Sequence, residues 1–232
     1  MVTISSVVET TAVLSDDQNK RYEYTKAFKN ENGKKVLLIM LNASGNSLIH
    51  TMDNTTNLTI SNLAEMGYTT ITIWNLFPQI VTKLNCKNIE LDNDNFSYLK
   101  VLLKKRYDSI VIGWGSSLSS NKIVKQAKAQ VNELLKPYEE SLVQIEDKSG
   151  KYKDKNIHPL FAGLYFNHQW KLGVYKIPEE QKEVKIDGGG EKKGDDERGK
   201  DMDNKPGRKI KPGEVAAMYA EHEIETGGTD TK

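Results

Sequence analysis

Three apolar runs of this chain each end in a short cluster of side chains that are suited to ligand binding. The runs cover residues 36–41, 70–74 and 109–113. The candidate binding residues that follow them are Asn42, Ser44, Asn75 and Trp114. Amide and hydroxyl groups hydrogen-bond a substrate or a water molecule without carrying a charge. The residue types therefore indicate a neutral, hydrogen-bonding site.

The elements that would position these residues follow from the apolar patterns. Uninterrupted runs rich in Val and Ile predict strands that are buried on both faces, as in a parallel sheet. Ligand sites of open α/β sheets lie beyond the carboxyl ends of the strands. We therefore expect the binding residues to line one shared pocket.

The segments between these runs alternate between helical and extended patterns. Helices are expected over 57–66, from Asp94 to Lys105, and from Ser119 or Ser120 to near Pro137. Further strands are expected over 141–145 and over 21–28, where the alternating pattern is that of an edge strand. This order predicts an α/β protein with three α/β/α layers and a mainly parallel central sheet.

Composition divides the chain near Pro178. Residues 1–178, with 22 Lys/Arg against 17 Asp/Glu, are expected to form a single α/β domain. Residues 179–232 carry 11 Lys/Arg against 15 Asp/Glu and are rich in Gly. A segment with so little to bury is expected to be mostly disordered. Its apolar stretch predicts a short helix over 214–223, which either docks on a protein partner or has no role.

The composition also argues against several functional classes. The single Cys86 excludes a disulfide framework and suits a reducing, cytoplasmic location. No apolar run approaches the roughly 20 residues needed to cross a bilayer, so no membrane association is expected. The sequence lacks a Walker loop, a dinucleotide fingerprint, a nucleophile elbow and a zinc-protease motif. We therefore expect neither a metal nor another cofactor.

An ordered set of short motifs gives a family resemblance over about residues 21–165. The motifs are Leu41-Asn42-x-Ser44, Asp53-x-Thr55, Trp74-Asn75-Leu76-Phe77-Pro78, Gly113-Trp114-Gly115 and His158-Pro159-Leu160. They resemble a microbial domain family of unknown function. That family's signature has Leu-Asn-Pro-Ser, Asp-Pro-Thr, Asn-Leu-Phe, a Trp-Gly turn and His-Pro-Leu. This chain departs from it at Ala43 and Asn54, where the family has Pro.

The layout is in turn similar to that of the uracil-DNA glycosylase superfamily. Those enzymes carry a polar loop after the first core strand and a His-Pro loop after the last strand. The resemblance implies a uracil-DNA-glycosylase-like fold, with Asn42 matching the water-positioning loop and His158 the His-Pro loop. It implies DNA as the partner and hydrolysis of an N-glycosidic bond as the reaction.

The remaining candidate residues would complete that chemistry. Asp53 would stabilise the cationic sugar or act as a base, and His158 would donate a hydrogen bond to the departing base. Phe77 or Trp114 would stack on a base that is flipped out of the duplex. The flanking phosphates would be held by Lys151, Lys153 and Lys155.

Each residue also has a structural interpretation. Asn42 and His158 would then be turn residues, and Asp53 with Thr55 would form the N-cap of the following helix. Phe77 and Trp114 would be core aromatics, and the lysines would belong to a solvated loop.

The sequence thus predicts a monofunctional DNA glycosylase that acts on an unusual or modified base, with phage defence as a fitting setting. Two alternatives stay open. One is an enzyme acting on a free nucleoside or nucleotide, and the other is a non-catalytic module that binds a nucleotide or a protein.

Overall fold

The computed structural model describes residues 1–29, 32–44, 51–81, 84, 86, 89–153, 157–166 and 170–179. Within them the chain forms a seven-stranded sheet with helices on both faces. The strands are β1 (Val8–Leu14), β2 (Arg21–Phe28), β3 (Lys34–Ala43), β4 (Tyr68–Ile80), β5 (Ser109–Ile112), β6 (Leu142–Asp147) and β7 (Trp170–Val174). The helices are α1 (Asn54–Glu65), α2 (Asn93–Leu103), α3 (Lys122–Leu135) and α4 (Pro159–Tyr165), with a 3-10 helix over Lys136–Ser141.

The central strand β3 shows why its apolar run is uninterrupted. Successive side chains of a strand point to opposite faces of the sheet. Leu37, Ile39 and Leu41 pack in the core under α2 and α3. Val36, Leu38 and Met40 pack in the core under α1 and α4. Because helices cover both faces, each position from Val36 to Leu41 carries a buried apolar side chain, which confirms the interpretation of a strand buried on both sides.

The strand order is β1-β2-β4-β3-β5-β6-β7. The four inner strands β4, β3, β5 and β6 are parallel, and β1–β2, β2–β4 and β6–β7 are antiparallel pairs. The α/β class is confirmed, whereas the expectation of a mainly parallel sheet is wrong, because three of the six pairings are antiparallel. The parallel strands are those with long apolar runs, and the antiparallel pairings add weakly apolar strands that carry no comparable signal.

Strand β2 was expected at an edge of the sheet, and that prediction is wrong. It pairs with β1 on one side and with β4 on the other. Its polar side chains are consequently covered: Arg21 is 4% exposed and Glu23 is 6% exposed. The Glu23 carboxylate accepts hydrogen bonds from Tyr98 at 2.6 Å and Thr25 at 2.7 Å, and pairs with Lys105 at 3.2 Å. These partners explain how a carboxylate is accommodated at a covered position.

The helices lie where they were expected, with different first residues. α1 begins at Asn54 rather than 57, with Asp53 as its N-cap. The N-cap of α2 is Asp92 instead of Asp94. The N-cap of α3 is Asn121 instead of Ser119 or Ser120. In each case several cap-forming residues precede the helix. The N-cap is the residue whose side chain accepts a hydrogen bond from an amide of the first turn.

Some predictions lie outside the described residues. They concern Lys155 and all of the tail except Glu179, including the predicted helix over 214–223. Among the described helices, none is both long enough and apolar enough to cross a membrane.

Candidate active site

The sheet has a topological switch point between β3 and β5. These two strands are parallel neighbours, but the helices that follow them, α1 and α3, pack on opposite faces. The chain therefore leaves the two strands in opposite directions. In open α/β sheets, ligands bind in the crevice expected at the carboxyl ends of strands at such a point.

Two asparagines lie at this edge on the face covered by α1 and α4. Asn42 continues the side of β3 that carries Leu38 and Met40, and Asn75 pairs in register with Met40. The Asn75 side chain is 1% exposed, and neither atom of its amide has a hydrogen-bond partner among the described residues. A buried amide without partners costs free energy unless something else satisfies it. The Asn75 amide is thus a buried polar group that no described residue satisfies.

The backbone at Asn75 is held by a second buried asparagine. Asn95 in α2 donates from Nδ2 to the carbonyl oxygen of Asn75 at 2.9 Å and to that of Leu76 at 3.2 Å. The Asn95 side chain is 0% exposed. These two bonds fix the backbone of β4 at Asn75 and Leu76, and with it the position of the Asn75 amide.

Asp53 both caps α1 and adds a negative charge to the site. Its carboxylate accepts hydrogen bonds from the amide of Thr56 at 2.8 Å and from the Thr56 hydroxyl at 3.2 Å. The N-cap interpretation of Asp53 is therefore confirmed. Burial lowers the pKa values of both Arg21 and His158, and the Asp53 charge opposes that effect at both groups. Asp53 thus acts electrostatically on a side chain of β2 and on the residue that caps α4.

Arg21 is a site residue that the sequence analysis missed. It stands at the first position of β2, and its guanidinium lies 5.4 Å from the centre of the Tyr24 ring. Burial lowers the pKa of Arg21, against the opposing effect of the Asp53 charge. The alternating pattern over 21–28 predicted an edge strand and gave no role to Arg21. Only the pairing of β2 inside the sheet brings the guanidinium into the site, and the sequence carries no signal for that pairing.

His158 is the N-cap of α4, and this role fixes its tautomer. Its Nδ1 accepts a hydrogen bond from the amide of Leu160 at 3.2 Å. A neutral imidazole that accepts at Nδ1 carries its proton on Nε2. Burial lowers the pKa of His158 from 6.5 to about 4, although the Asp53 charge acts in the opposite direction. At neutral pH the side chain is therefore an uncharged donor through Nε2.

The Gly113-Trp114-Gly115 turn leaves room for the start of α4. A Cβ atom on Gly115 would lie 2.9 Å from the Cβ of His158. A Cβ atom on Gly113 would lie 3.3 Å from Cδ of Pro159. Gly115 also has a φ of +67°, a conformation that disfavours L side chains. The two glycines thus bring the loop after β5 against the base of α4.

The loop that carries these glycines is held from the other side of the sheet by α3. Lys128 donates from Nζ to the carbonyl oxygen of Gly115 at 2.9 Å, and its ammonium group lies 5.4 Å from the Trp114 ring. Burial lowers the pKa of Lys128 to about 8.

The other predicted site residues occupy different surroundings. Phe77, which is 0% exposed, and Trp114, which is 2% exposed, pack in the core under α2 and α3. Lys151 and Lys153 are exposed in the turn after β6. Ser44 follows β3 directly and is partly buried. Asn42, Asn75, Asp53 and His158 thus lie on the face covered by α1 and α4, toward the carboxyl ends of the parallel strands, and Arg21 joins them as a candidate.

The described residues contain no group of three or more His, Cys, Asp or Glu side chains that could hold a metal ion. The polar side-chain groups of the cluster are two asparagine amides, one carboxylate, one guanidinium and one imidazole. Such a set can bind and orient a polar substrate, neutralise a developing charge, and donate or accept hydrogen bonds.

Comparison with known proteins identifies the family. No curated protein and no solved structure matches the chain. The family model described as "Protein of unknown function (DUF1643)" matches residues 21–160. The matched span begins at Arg21 and ends two residues after His158, so it contains every residue of the cluster. Since the match covers more than half of the chain, this protein belongs to the DUF1643 family.

Proposed function

We propose that this protein hydrolyses the N-glycosidic bond of an unusual or modified base in DNA, on a fold similar to that of the uracil-DNA glycosylases. The observation that carries the proposal is a neutral imidazole donor, His158, whose tautomer is fixed by the Leu160 amide and on which the Asp53 carboxylate acts electrostatically. Both groups lie beside the crevice where an α/β sheet binds its ligand.

The reaction separates charge in a way that suits these two groups. The bond between the sugar carbon and the base nitrogen breaks, and its electron pair leaves with the base, so the sugar becomes cationic and the base anionic. The Asp53 carboxylate stabilises the sugar cation. The Nε2 proton of His158 donates to the anionic base, and a positioned donor of this kind is worth about 3–4 kcal/mol in the transition state.

The low pKa of His158 favours this role. An imidazolium ion would form an ion pair with the Asp53 carboxylate and cancel the charge that faces the sugar. Because burial holds the pKa of His158 at about 4, the imidazole stays neutral and still donates from Nε2 at neutral pH. The site therefore keeps one net negative group for the sugar and one neutral donor for the base.

Water completes the reaction. The Asn42 amide orients a water molecule, whose oxygen bonds to the sugar carbon while its proton passes to the Asp53 carboxylate and then to the base. The products are a free base and an abasic sugar. Asn75 offers one donor and one acceptor, which match the alternating donors and acceptors on the edge of a nucleobase.

One observation favours a second candidate, an enzyme that acts on a free nucleoside or nucleotide. The two aromatic residues expected to stack on a flipped base, Phe77 and Trp114, lie in the core on the other face of the sheet. A free nucleoside needs no such stacking during extrusion from a duplex.

The test is a base-release assay with the full chain. DNAs containing uracil, hydroxymethylated, glucosylated or other modified bases are incubated with the protein and then cleaved with alkali at abasic sites. Free nucleosides with the same bases are assayed in parallel by the base that they release. We expect cleavage of DNA, with a loss of about 100- to 1000-fold in the His158→Asn and Asn42→Ala variants. The exposed Asn57→Ala variant is the matched control and should retain activity.

Three outcomes are distinguishable. Cleavage that depends on His158 and Asn42 supports the proposal. Release of bases from free nucleosides alone establishes the second candidate. No base release from either class of substrate overturns both and leaves a binding module as the function.

A further inference from the structure

A cluster of aromatic side chains lies on and beside α4, the helix that His158 caps. Tyr152 lies in the turn after β6, and Phe161, Tyr165 and Phe166 lie in or directly after α4. The ring centres of Phe161 and Tyr165 are 4.5 Å apart, and those of Tyr152 and Phe166 are 5.5 Å apart. Phe166 is 3% exposed and anchors the cluster in the core.

One side of this cluster reaches the solvent. Tyr165 is 38% exposed, and the neighbouring Leu164 is 45% exposed. Both belong to α4, which is only seven residues long. From His158 to Tyr165 the distance along the helix axis is about 10 Å at 1.5 Å per residue. The exposed ring of Tyr165 therefore lies at the other end of α4 from His158 and the candidate active site.

The charge around the exposed rings is positive. Lys148, Lys151 and Lys153 are exposed in the turn between β6 and α4. No ion pair joins these lysines to a carboxylate within the described residues. The Lys151 ammonium group lies 5.2 Å from the centre of the Tyr152 ring, so cation and ring share one surface.

Among the described residues of this region, the two acidic side chains, Glu146 and Asp147, interact with other groups. The Asp147 side chain is 3% exposed and accepts hydrogen bonds from the Ser149 hydroxyl and from the amides of Ser149 and Tyr152. Glu146 pairs with Lys171 at 3.4 Å. The described part of the turn consequently exposes its lysines and holds the Asp147 carboxylate inward.

We propose that this surface, formed by Tyr152, Phe161, Leu164 and Tyr165 with Lys151 and Lys153, binds a single-stranded segment of DNA. Exposed rings stack on unpaired bases, and neighbouring lysines neutralise phosphates, which is the combination that single-strand binding requires. In a duplex the bases are already stacked on each other, so the rings would gain nothing from it. The role of this surface, to present an unpaired base to the pocket, rests on the proposed function. The binding of a single strand itself requires no catalysis.

The experiment measures binding by fluorescence anisotropy, with the full chain and a labelled thymidine oligonucleotide of about 12 residues. A duplex of the same length is the comparison. We expect the single strand to bind at least tenfold more tightly than the duplex. We expect Tyr165→Ala to weaken single-strand binding by about tenfold or more, and Tyr165→Phe to keep it, because the stacking ring remains.

Salt dependence tests the lysines separately. Each phosphate contact on a single strand contributes about 0.7 to the slope of log K against log salt, so Lys151→Gln with Lys153→Gln should reduce the slope by about 1.4. The matched control variant carries the same Lys→Gln changes at Lys104 and Lys125, which are exposed on or near other helices. It should leave the slope unchanged. Far-ultraviolet circular dichroism verifies that each variant is folded.

Each outcome decides the inference. Equal binding of single strand and duplex, or equal binding by Tyr165→Ala and wild type, overturns it. Self-association through this surface, abolished by Tyr165→Ala while no oligonucleotide binds, also overturns it. Tight single-strand binding without base release from any substrate supports the surface and contradicts the proposed function, so the two can fail independently.

Discussion

Replacement of His158 by Asn tests whether burial keeps the imidazole neutral. Asn is a good N-cap, so its side-chain oxygen can accept the Leu160 amide that His158 Nδ1 accepts in the wild type. The variant therefore keeps the cap of α4 and removes only the titrating group. Any change in the pH dependence of stability then belongs to the imidazole.

The magnitude follows from the pKa of His158. It falls from 6.5 to about 4 in the folded protein. Between these two values the unfolded chain binds a proton that the native state does not, so the free energy of unfolding decreases as the pH falls. Each pH unit is worth about 1.4 kcal/mol, so the wild type should lose about 3 kcal/mol more than the variant between about pH 7 and pH 4.

Urea-induced unfolding at several pH values in this range measures the effect. With an m-value of about 1–3 kcal/mol/M, a difference of about 3 kcal/mol moves the unfolding midpoint by about 1–3 M urea. Other groups that titrate, such as Asp147, contribute equally to both proteins and cancel in the difference. If the two proteins lost stability in parallel, the imidazole would be hydrated in the native state and the argument for a neutral donor would be refuted.

Two further predictions concern the loop after β5. Gly115→Ala should destabilise the protein by more than Gly150→Ala and should impair base release. Both glycines have positive φ, which costs an L residue roughly 1–2 kcal/mol. Only at Gly115 would a new Cβ atom also clash with the side chain of His158. Equal midpoints in urea would contradict this. The wild type should gain stability between about pH 8 and pH 10.5, because in that range Lys128 holds a proton in the unfolded chain and not in the native state. Lys128→Met should abolish this gain. Urea titrations across that range measure it, and a rise that persists in the variant would assign it to another group.

The buried parallel strands were predictable because their sequence is constrained on both faces. β3 and β5 carry uninterrupted apolar residues, which no exposed segment of the chain does. β1 and β7 were missed since each is largely exposed; Val174, for example, is 69% exposed. A strand that buries so little leaves no apolar pattern, and its pairing depends on contacts distant in sequence.

The candidate site was predictable where residues follow strands and helices directly. Asn42, Asp53 and His158 were found in this way, and the structure brings them to one edge of the sheet. Trp114 was misplaced although alternation could have located it. Ile110 and Ile112 face the α2 and α3 core, and continuing that alternation places Trp114 in the same core. The missing information was which face of the sheet holds the site.

The cap that His158 provides has a consequence for the dynamics of the site. In water a neutral imidazole exchanges between two tautomers, only one of which donates from Nε2. The backbone amide of Leu160 selects that tautomer for as long as the first turn of α4 is formed. Fraying of that turn would release Nδ1 and allow the other tautomer, which cannot donate from Nε2. The fraction of molecules competent to donate is therefore set by a local helix–coil equilibrium, one that acts on the donor without any movement of the sheet.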